Sequence, residues 1–184
     1  MAGVLPAVTA SFTPAAGAVG THKLDHVAVA VRDVEHALGL YVDALGAEFV
    51  LGGDNDETGN RVVHLALGGF KVELLQPLVP DNLLARTIER RGEGFHHVTF
   101  VVDDVAEAIN ALGEAGVATT GTDLDNPIWR ETFVRPRDAS GALLQLVATT
   151  RDWSSPVDGI GVDDVLAGRV VFEQAWPCWR HTPR

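Results

Sequence analysis

The sequence predicts an α+β fold of two tandem βαβββ modules, and three observations lead there. Segments with strand-like alternation and helix-like three-and-four spacing follow one another in the same order twice. Equivalent positions keep a nearly constant offset: His26 and His97 lie 71 residues apart, as do Val34 and Val105, and Glu73 and Gln145 lie 72 apart. Self-similarity in which residue type and period agree marks an internal duplication.

Segment 1–22 is rich in Ala, Gly, Pro and Thr, has no sustained period and reads as a flexible N-terminal arm. The first module, 23–78, opens with an alternating strand over Leu24–Val31. Asp33 then caps a helix with apolar positions Val34, Ala37, Leu38, Tyr41 and Leu45, stopped at Gly46. A strand over Glu48–Leu51, a polar loop at 52–60, and strands Arg61–Leu67 and Phe70–Leu75 joined by Gly68-Gly69 complete it. The linker, 79–93, carries a short helix opened by Pro80-Asp81-Asn82, with Leu84 and Ile88 on one face, ending near Gly92.

The second module, 94–150, repeats the plan. Phe95–Val102 is a strand, and Asp103 or Asp104 caps a helix bearing Val105, Ala108, Ile109 and Leu112, closed by Gly113 and Gly116. Strands follow at Val117–Thr120, Glu131–Arg135 and Leu143–Ala148, the last two around an Asp138-to-Gly141 turn. The extension, 151–184, has no counterpart in the duplication. Its Trp153, Trp176 and Trp179, with Val170 and Phe172 in a strand-like Arg169–Phe172 run, are too apolar to hang free. Packing on the body, association with a second copy in a homodimer, and a lid over a cleft are the roles open to it.

Composition narrows the function classes. With 184 residues, 46% hydrophobic and 21% charged, the chain reads as an ordinary globular protein. A net charge of −11 repels phosphate backbones and argues against a nucleic-acid partner. Cys178 is the only cysteine, so no intrachain disulfide forms. No apolar run approaches the roughly 20 residues that cross a bilayer, and no basic secretory start is present. A cytoplasmic protein without membrane association is expected.

Each module places a polar residue on its first strand and another on its last, amid apolar neighbours: His26 and Glu73, then His97 and Gln145. Taken singly, a strand histidine is ordinarily a satisfied core or surface residue, and a strand Glu or Gln ordinarily faces solvent. The pairing changes the reading, because a two-fold relation between the copies brings all four together. Two imidazole nitrogens and two side-chain oxygens suit one divalent ion such as Co, Mn, Zn, Ni or Fe, with positions left for water or substrate. His64 and His96 lack such counterparts and are expected to be structural or to lie near the site.

The stretches "LDHVAVAVRDVEHALGLYVDALG", "KVELLQPLVPDNLLARTIERRGEGFHHVTFVVDD" and "GALLQL" resemble the vicinal oxygen chelate superfamily, which includes glyoxalase I, extradiol dioxygenases and bleomycin-resistance proteins. Within it they are most similar to the methylmalonyl-CoA epimerase branch, over about residues 23–148. The resemblance implies a curved sheet around a metal cleft, with His26, Glu73, His97 and Gln145 as metal ligands. It implies a metal-dependent isomerase that abstracts a proton alpha to a thioester or other carbonyl of a small-molecule substrate such as an acyl-CoA. The family usually has Glu where this chain has Gln145, and an amide is no base at neutral pH. Catalytic carboxylates are then sought in Glu73 and, from the loop before the third strand, Asp56 or Glu57. Arg86, Arg90 and Arg91 are candidates for contact with coenzyme A phosphates, or else form a solvated helix face balanced by Glu89 and Glu93. Other enzymes of the superfamily are the alternative: a glyoxalase-like lyase, an extradiol-type dioxygenase or a tailoring enzyme of secondary metabolism. A non-catalytic resistance protein that binds a small molecule is a further one.

Overall fold

The structure, a computed structural model, describes residues 19–151 and 155–181. The bulk of the expected N-terminal arm (1–18) and Trp153 therefore lie outside the described residues. Ten strands among these residues form one sheet: β1 (Thr21–Ala30), β2 (Glu48–Asn55), β3 (Asn60–Leu67), β4 (Phe70–Pro77), β5 (Gly94–Val102), β6 (Thr119–Asp123), β7 (Trp129–Val134), β8 (Leu144–Thr149), β9 (Val170–Glu173) and β10 (Trp176–Trp179). Their order across the sheet is β10-β9-β2-β3-β4-β1-β5-β8-β7-β6. The two repeats meet where β1 and β5 pair antiparallel, and in each repeat the first strand also pairs parallel with the last, β1 with β4 and β5 with β8. Both repeats thus complete the central sheet within one chain.

Helices pack on both faces of the sheet. α1 (Val34–Leu38) starts at Asp33, whose side chain accepts from His36 N, and packs Val34, Ala37 and Leu38 with Val29, Val63, Leu65, Val72 and Leu74. α3 (Val105–Glu114) is capped by Asp104 and packs Val105, Ala108, Ile109 and Leu112 with Phe100, Val102 and Leu146. α2 (Leu83–Arg91) is capped by Asn82 and seats Leu84 and Ile88 against Ala28, Ala30 and Leu75. Those three contacts belong to the residues of β1 and β4 that alternate with the α1-facing set, so α2 sits on the opposite face. None of the helices among the described residues is long and apolar enough to cross a membrane.

Three elements differ from the sequence expectation. The helix expected to run to Leu45 turns at Gly39–Ala44 into a π-helical stretch, with Leu45 N bonded to Leu40 O five residues back. The expected loop at 52–60 is strand as far as Asn55. Gly52 and Gly53 are there for close approach: a Cβ on Gly52 would lie 2.7 Å from Val62 O, and one on Gly53 would meet Val170 and Phe172. The strand expected at Val117–Thr120 begins at Thr119, because Val117 N still bonds to Leu112 O at the helix exit.

The C-terminal extension adds a short helix, α4 (Val162–Leu166), and the β9–β10 ribbon, which joins the β2 edge. Val50 and Leu51 of β2 pack with Phe172, Ala175 and Trp176, and the same cluster takes in Ile128 and Trp129 at the start of β7. Five strands separate β2 from β7 in the sheet, so this contact requires the sheet to curl into a trough. Arg151 lies over the Trp176 ring, 4.7 Å from its centroid, and ties the end of β8 to the ribbon as well.

Candidate metal centre

The register places the four predicted ligands in two adjacent rows. His64, Glu73, Ala28 and His97 stand side by side on β3, β4, β1 and β5. Lys71, His26, Thr99 and Gln145 form the next row on β4, β1, β5 and β8. Ala28 and Thr99 occupy equivalent positions in the two repeats, 71 residues apart. Both are small, which lets the longer side chains on either side lean over them and converge.

His26, Glu73 and His97 come together: their ligating atoms all lie within 4.8 Å of one another. His26 Nε2 and His97 Nε2 are 3.4 Å apart, and Glu73 Oε2 is 3.7 Å from the first and 3.6 Å from the second. All three residues are buried, and Glu73 Oε2 has no hydrogen-bond partner. A buried carboxylate oxygen without a donor is costly. His26 Nδ1–H donates to Asp25 Oδ2 at 2.9 Å, which leaves its Nε2 with a lone pair. His97 Nδ1 is engaged by His96 Nδ1 at 2.8 Å. With His97 in the tautomer whose Nδ1–H donates to His96, three lone pairs face one point, and a divalent cation is a group that fits there.

Each of these side chains is held from behind. Asp25 is itself bound by Lys71 Nζ at 2.8 Å and orients His26. His64 Nε2 reaches Glu73 Oε1 at 3.1 Å and turns Oε2 to the common point. Gln145 joins through Thr99, whose Oγ1 lies 2.9 Å from His26 Nε2 and donates to Gln145 Oε1. The Gln145 Nε2–H donates to Glu131 Oε2 at 2.6 Å, and Trp129 Nε1–H donates to the same oxygen at 2.8 Å. Such orienting contacts fix the tautomer or rotamer of a ligand.

The electrostatics match ligand duty. Burial alone would raise the Glu73 carboxyl. The pull of His26, the His64 hydrogen bond and the further pull of His64 and His97, exerted when those rings carry an extra proton, outweigh it and hold the group well below the ordinary carboxylate range. Burial pushes His97 down to about 4 against the opposing pull of Glu73, so its imidazole is neutral at pH 7. Burial lowers His64 and His96 in the same sense. Asp25, which burial would raise, is held low by His26 and Lys71. Burial raises Glu131 against the hydrogen bonds from Trp129 and Gln145.

The other sequence candidates lie elsewhere. Asp56 and Glu57 are exposed on the β2–β3 turn, and both Asp56 oxygens accept from Arg180, at 2.7 and 2.9 Å. That hydrogen bond keeps Asp56 below its usual value. Among the described residues, no hydrogen bond joins either carboxylate to the His26–Glu73–His97 cluster. Arg86, Arg90 and Arg91 are exposed on α2, and Arg91 is close enough for its charge to help lower His96. Sequence reasoning did not single out Asp25, Thr99 and Glu131, and it gave His64 no defined task. Asp25 and His64 neighbour the ligands in sequence or in register. Glu131 carried no signal, because its β3 counterpart across the duplication is the apolar Val62.

A curved sheet of paired βαβββ repeats with a His, Glu, His and Gln set across its centre defines a class, and a family model confirms it. The chain belongs to the Glyoxalase/Bleomycin resistance protein/Dioxygenase superfamily, whose model matches residues 25–132. Among curated proteins it is 34% identical over 131 residues to an ethylmalonyl-CoA/methylmalonyl-CoA epimerase of Cereibacter sphaeroides, a match that covers 67% of this chain and 96% of the relative. Among solved structures it is similar to methylmalonyl-CoA epimerase from Mycobacterium tuberculosis, at 29% identity and a TM-score of 0.65, over 72% of this chain and 91% of the other. A variant of the Streptomyces coelicolor methylmalonyl-CoA epimerase in complex with 2-nitronate-propionyl-CoA matches at 26% identity and a TM-score of 0.64, over 71% and 99%.

Proposed function

We propose that this chain is a metal-dependent enzyme that moves a proton at the carbon next to a thioester or other carbonyl, in the manner of a methylmalonyl-CoA epimerase. The observation that carries the reading is Glu73 Oε2, buried without a partner and facing two imidazole nitrogens. His26, Glu73 and His97 would hold the ion, with Gln145 as a fourth donor. When bound, the ion supplies Lewis acidity to a substrate oxygen, which stabilises negative charge developing there. Asp25 and His96 keep the ligand imidazoles in one orientation, and His64 keeps Glu73 from rotating. Gln145 presents an amide where the epimerases usually carry a carboxylate, so the proton-transfer groups must be other carboxylates. Glu73 is in place at the centre. Asp56 or Glu57 would have to reach the substrate from the β2–β3 turn, which for Asp56 means leaving Arg180.

The relatives named for ethylmalonyl-CoA and methylmalonyl-CoA support an acyl-CoA substrate. The exposed Arg86, Arg90 and Arg91 on α2, the last of them near His96, offer a basic surface for its phosphates. Action in the cytoplasm as a homodimer remains part of this proposal. A second reading, a different reaction within the same superfamily, is favoured by Gln145 and by the β9–β10 ribbon that bridges the trough to Trp129.

Incubation of Co2+-loaded protein with methylmalonyl-CoA in heavy water tests the proposal. Deuterium should enter at the 2-carbon, and should fail to enter with Glu73→Ala or His97→Ala. Loss in Asp56→Ala or Glu57→Ala as well identifies the second proton-transfer group. No exchange by a protein that holds its metal rules out the epimerase reading and leaves the second one.

A further inference from the structure

We infer that Glu131 is the positioning residue that makes Gln145 a metal ligand: it fixes the amide so that oxygen, and not nitrogen, is offered to the centre. This rests on the metal reading above. A primary amide is nearly symmetric in shape, yet one end is an acceptor that binds a cation and the other is a pair of donors that repels it. A Gln in a ligand position therefore needs something that distinguishes its ends. A carboxylate oxygen accepting from Gln145 Nε2 at 2.6 Å does so, because it has no favourable contact with an amide oxygen. Thr99 completes the arrangement by donating to Gln145 Oε1, which places that oxygen one hydroxyl away from His26 Nε2.

The other repeat supports the assignment by contrast. Glu73 is a carboxylate, and its support is a donor, His64 Nε2. Gln145 is an amide, and the support of its nitrogen is an acceptor. The polarity of each support is matched to its ligand. The supports do not descend from the duplication: pairing of Gln145 with Phe133 and of Glu73 with His64 makes Val62 the β3 equivalent of Glu131. Glu131 is also prevented from swinging away, since Trp129 Nε1 donates to the oxygen that Gln145 uses.

The test reads metal binding and needs no substrate. Metal-free protein is titrated with Co2+, with affinity followed by calorimetry and coordination by the visible absorption of the bound ion. Wild type, E131A, E131Q, Q145A, the E131A/Q145A pair, Q145E, the E131A/Q145E pair and H97A are compared, with circular dichroism as the check on folding. E131A should bind Co2+ about tenfold to a hundredfold more weakly, with the spectrum of Q145A, and the double variant should be no worse than Q145A. E131Q keeps an acceptor oxygen for both donors and should stay close to wild type. In a Q145E background the ligand needs no orienting, so adding E131A should cost no affinity. E131A with wild-type affinity and spectrum, E131Q as weak as E131A, or a tenfold loss from E131A in the Q145E background would each overturn the inference. These outcomes are read against a wild type that binds and an H97A that does not. A wild type that takes up no Co2+ overturns the metal reading and this inference with it.

Discussion

His26 Nε2 and His97 Nε2 face each other at 3.4 Å across the line where the two repeats join, each ring held on its far side through Nδ1. When both rings carry their proton on Nδ1, the facing Nε2 lone pairs repel unless a cation lies between them. Metal should therefore stabilise the fold: at a free concentration 100 times the dissociation constant the gain is about 2.7 kcal/mol. For a chain of this length that raises the melting temperature by about 5–10 °C. Thermal melts with Co2+ and with EDTA check this, and His26→Ala and His97→Ala should remove the difference.

Ala28 is fully buried between Glu73 and His97 in the strand register. Ala28→Leu would fill the gap over which these side chains converge, and is expected to cost about 1–3 kcal/mol from overpacking and to abolish metal uptake. Equilibrium dialysis against Co2+, alongside circular dichroism, measures both. Undiminished uptake by a folded variant would show that the ion sits elsewhere.

The metal-free protein should be sensitive to mild acid. His97 is lowered from 6.5 to about 4 in the folded chain. Between those values the unfolded chain binds more protons, so stability rises with pH across that window and is flat above it. The His97 share is on the order of 3 kcal/mol. Urea unfolding at pH 4.5 and 7 should show wild type gaining more than His97→Gln. Equal gains would remove His97 as the cause.

Gly52→Ala probes the β2–β3 approach. The added Cβ would meet Val62 O at 2.7 Å, and backbone does not yield as a flexible side chain does. We expect a loss of about 1–3 kcal/mol, read from chemical denaturation, with the β9 edge the first region to gain amide exchange. A neutral substitution would mean that β2 and β3 separate freely.

Much of this was legible in the chain because duplication writes its signal twice. His26 and His97, or Glu73 and Gln145, are unremarkable singly and informative as pairs at offsets of 71 and 72. Where the repeats differ, the signal fades. Glu131 answers to Val62 and looks like an edge-strand carboxylate. Gly52 and Gly53 look like a loop until Val62 O and Phe172 approach them. The ribbon at Val170–Trp179 has no counterpart at all, so its place on β2 and its reach to Trp129 could not be read from periodicity. Asp56 shows the same limit: its partner, Arg180, is 124 residues away.

The central claim is that His26, Glu73, His97 and Gln145 hold one divalent ion, and metal stoichiometry tests it most directly. Protein stripped with chelator, reloaded with Co2+ and freed of excess by gel filtration should carry one ion per chain by mass spectrometry, and His97→Ala should carry none. A wild-type chain that retains no ion, or a His97→Ala chain that retains as much, would contradict it.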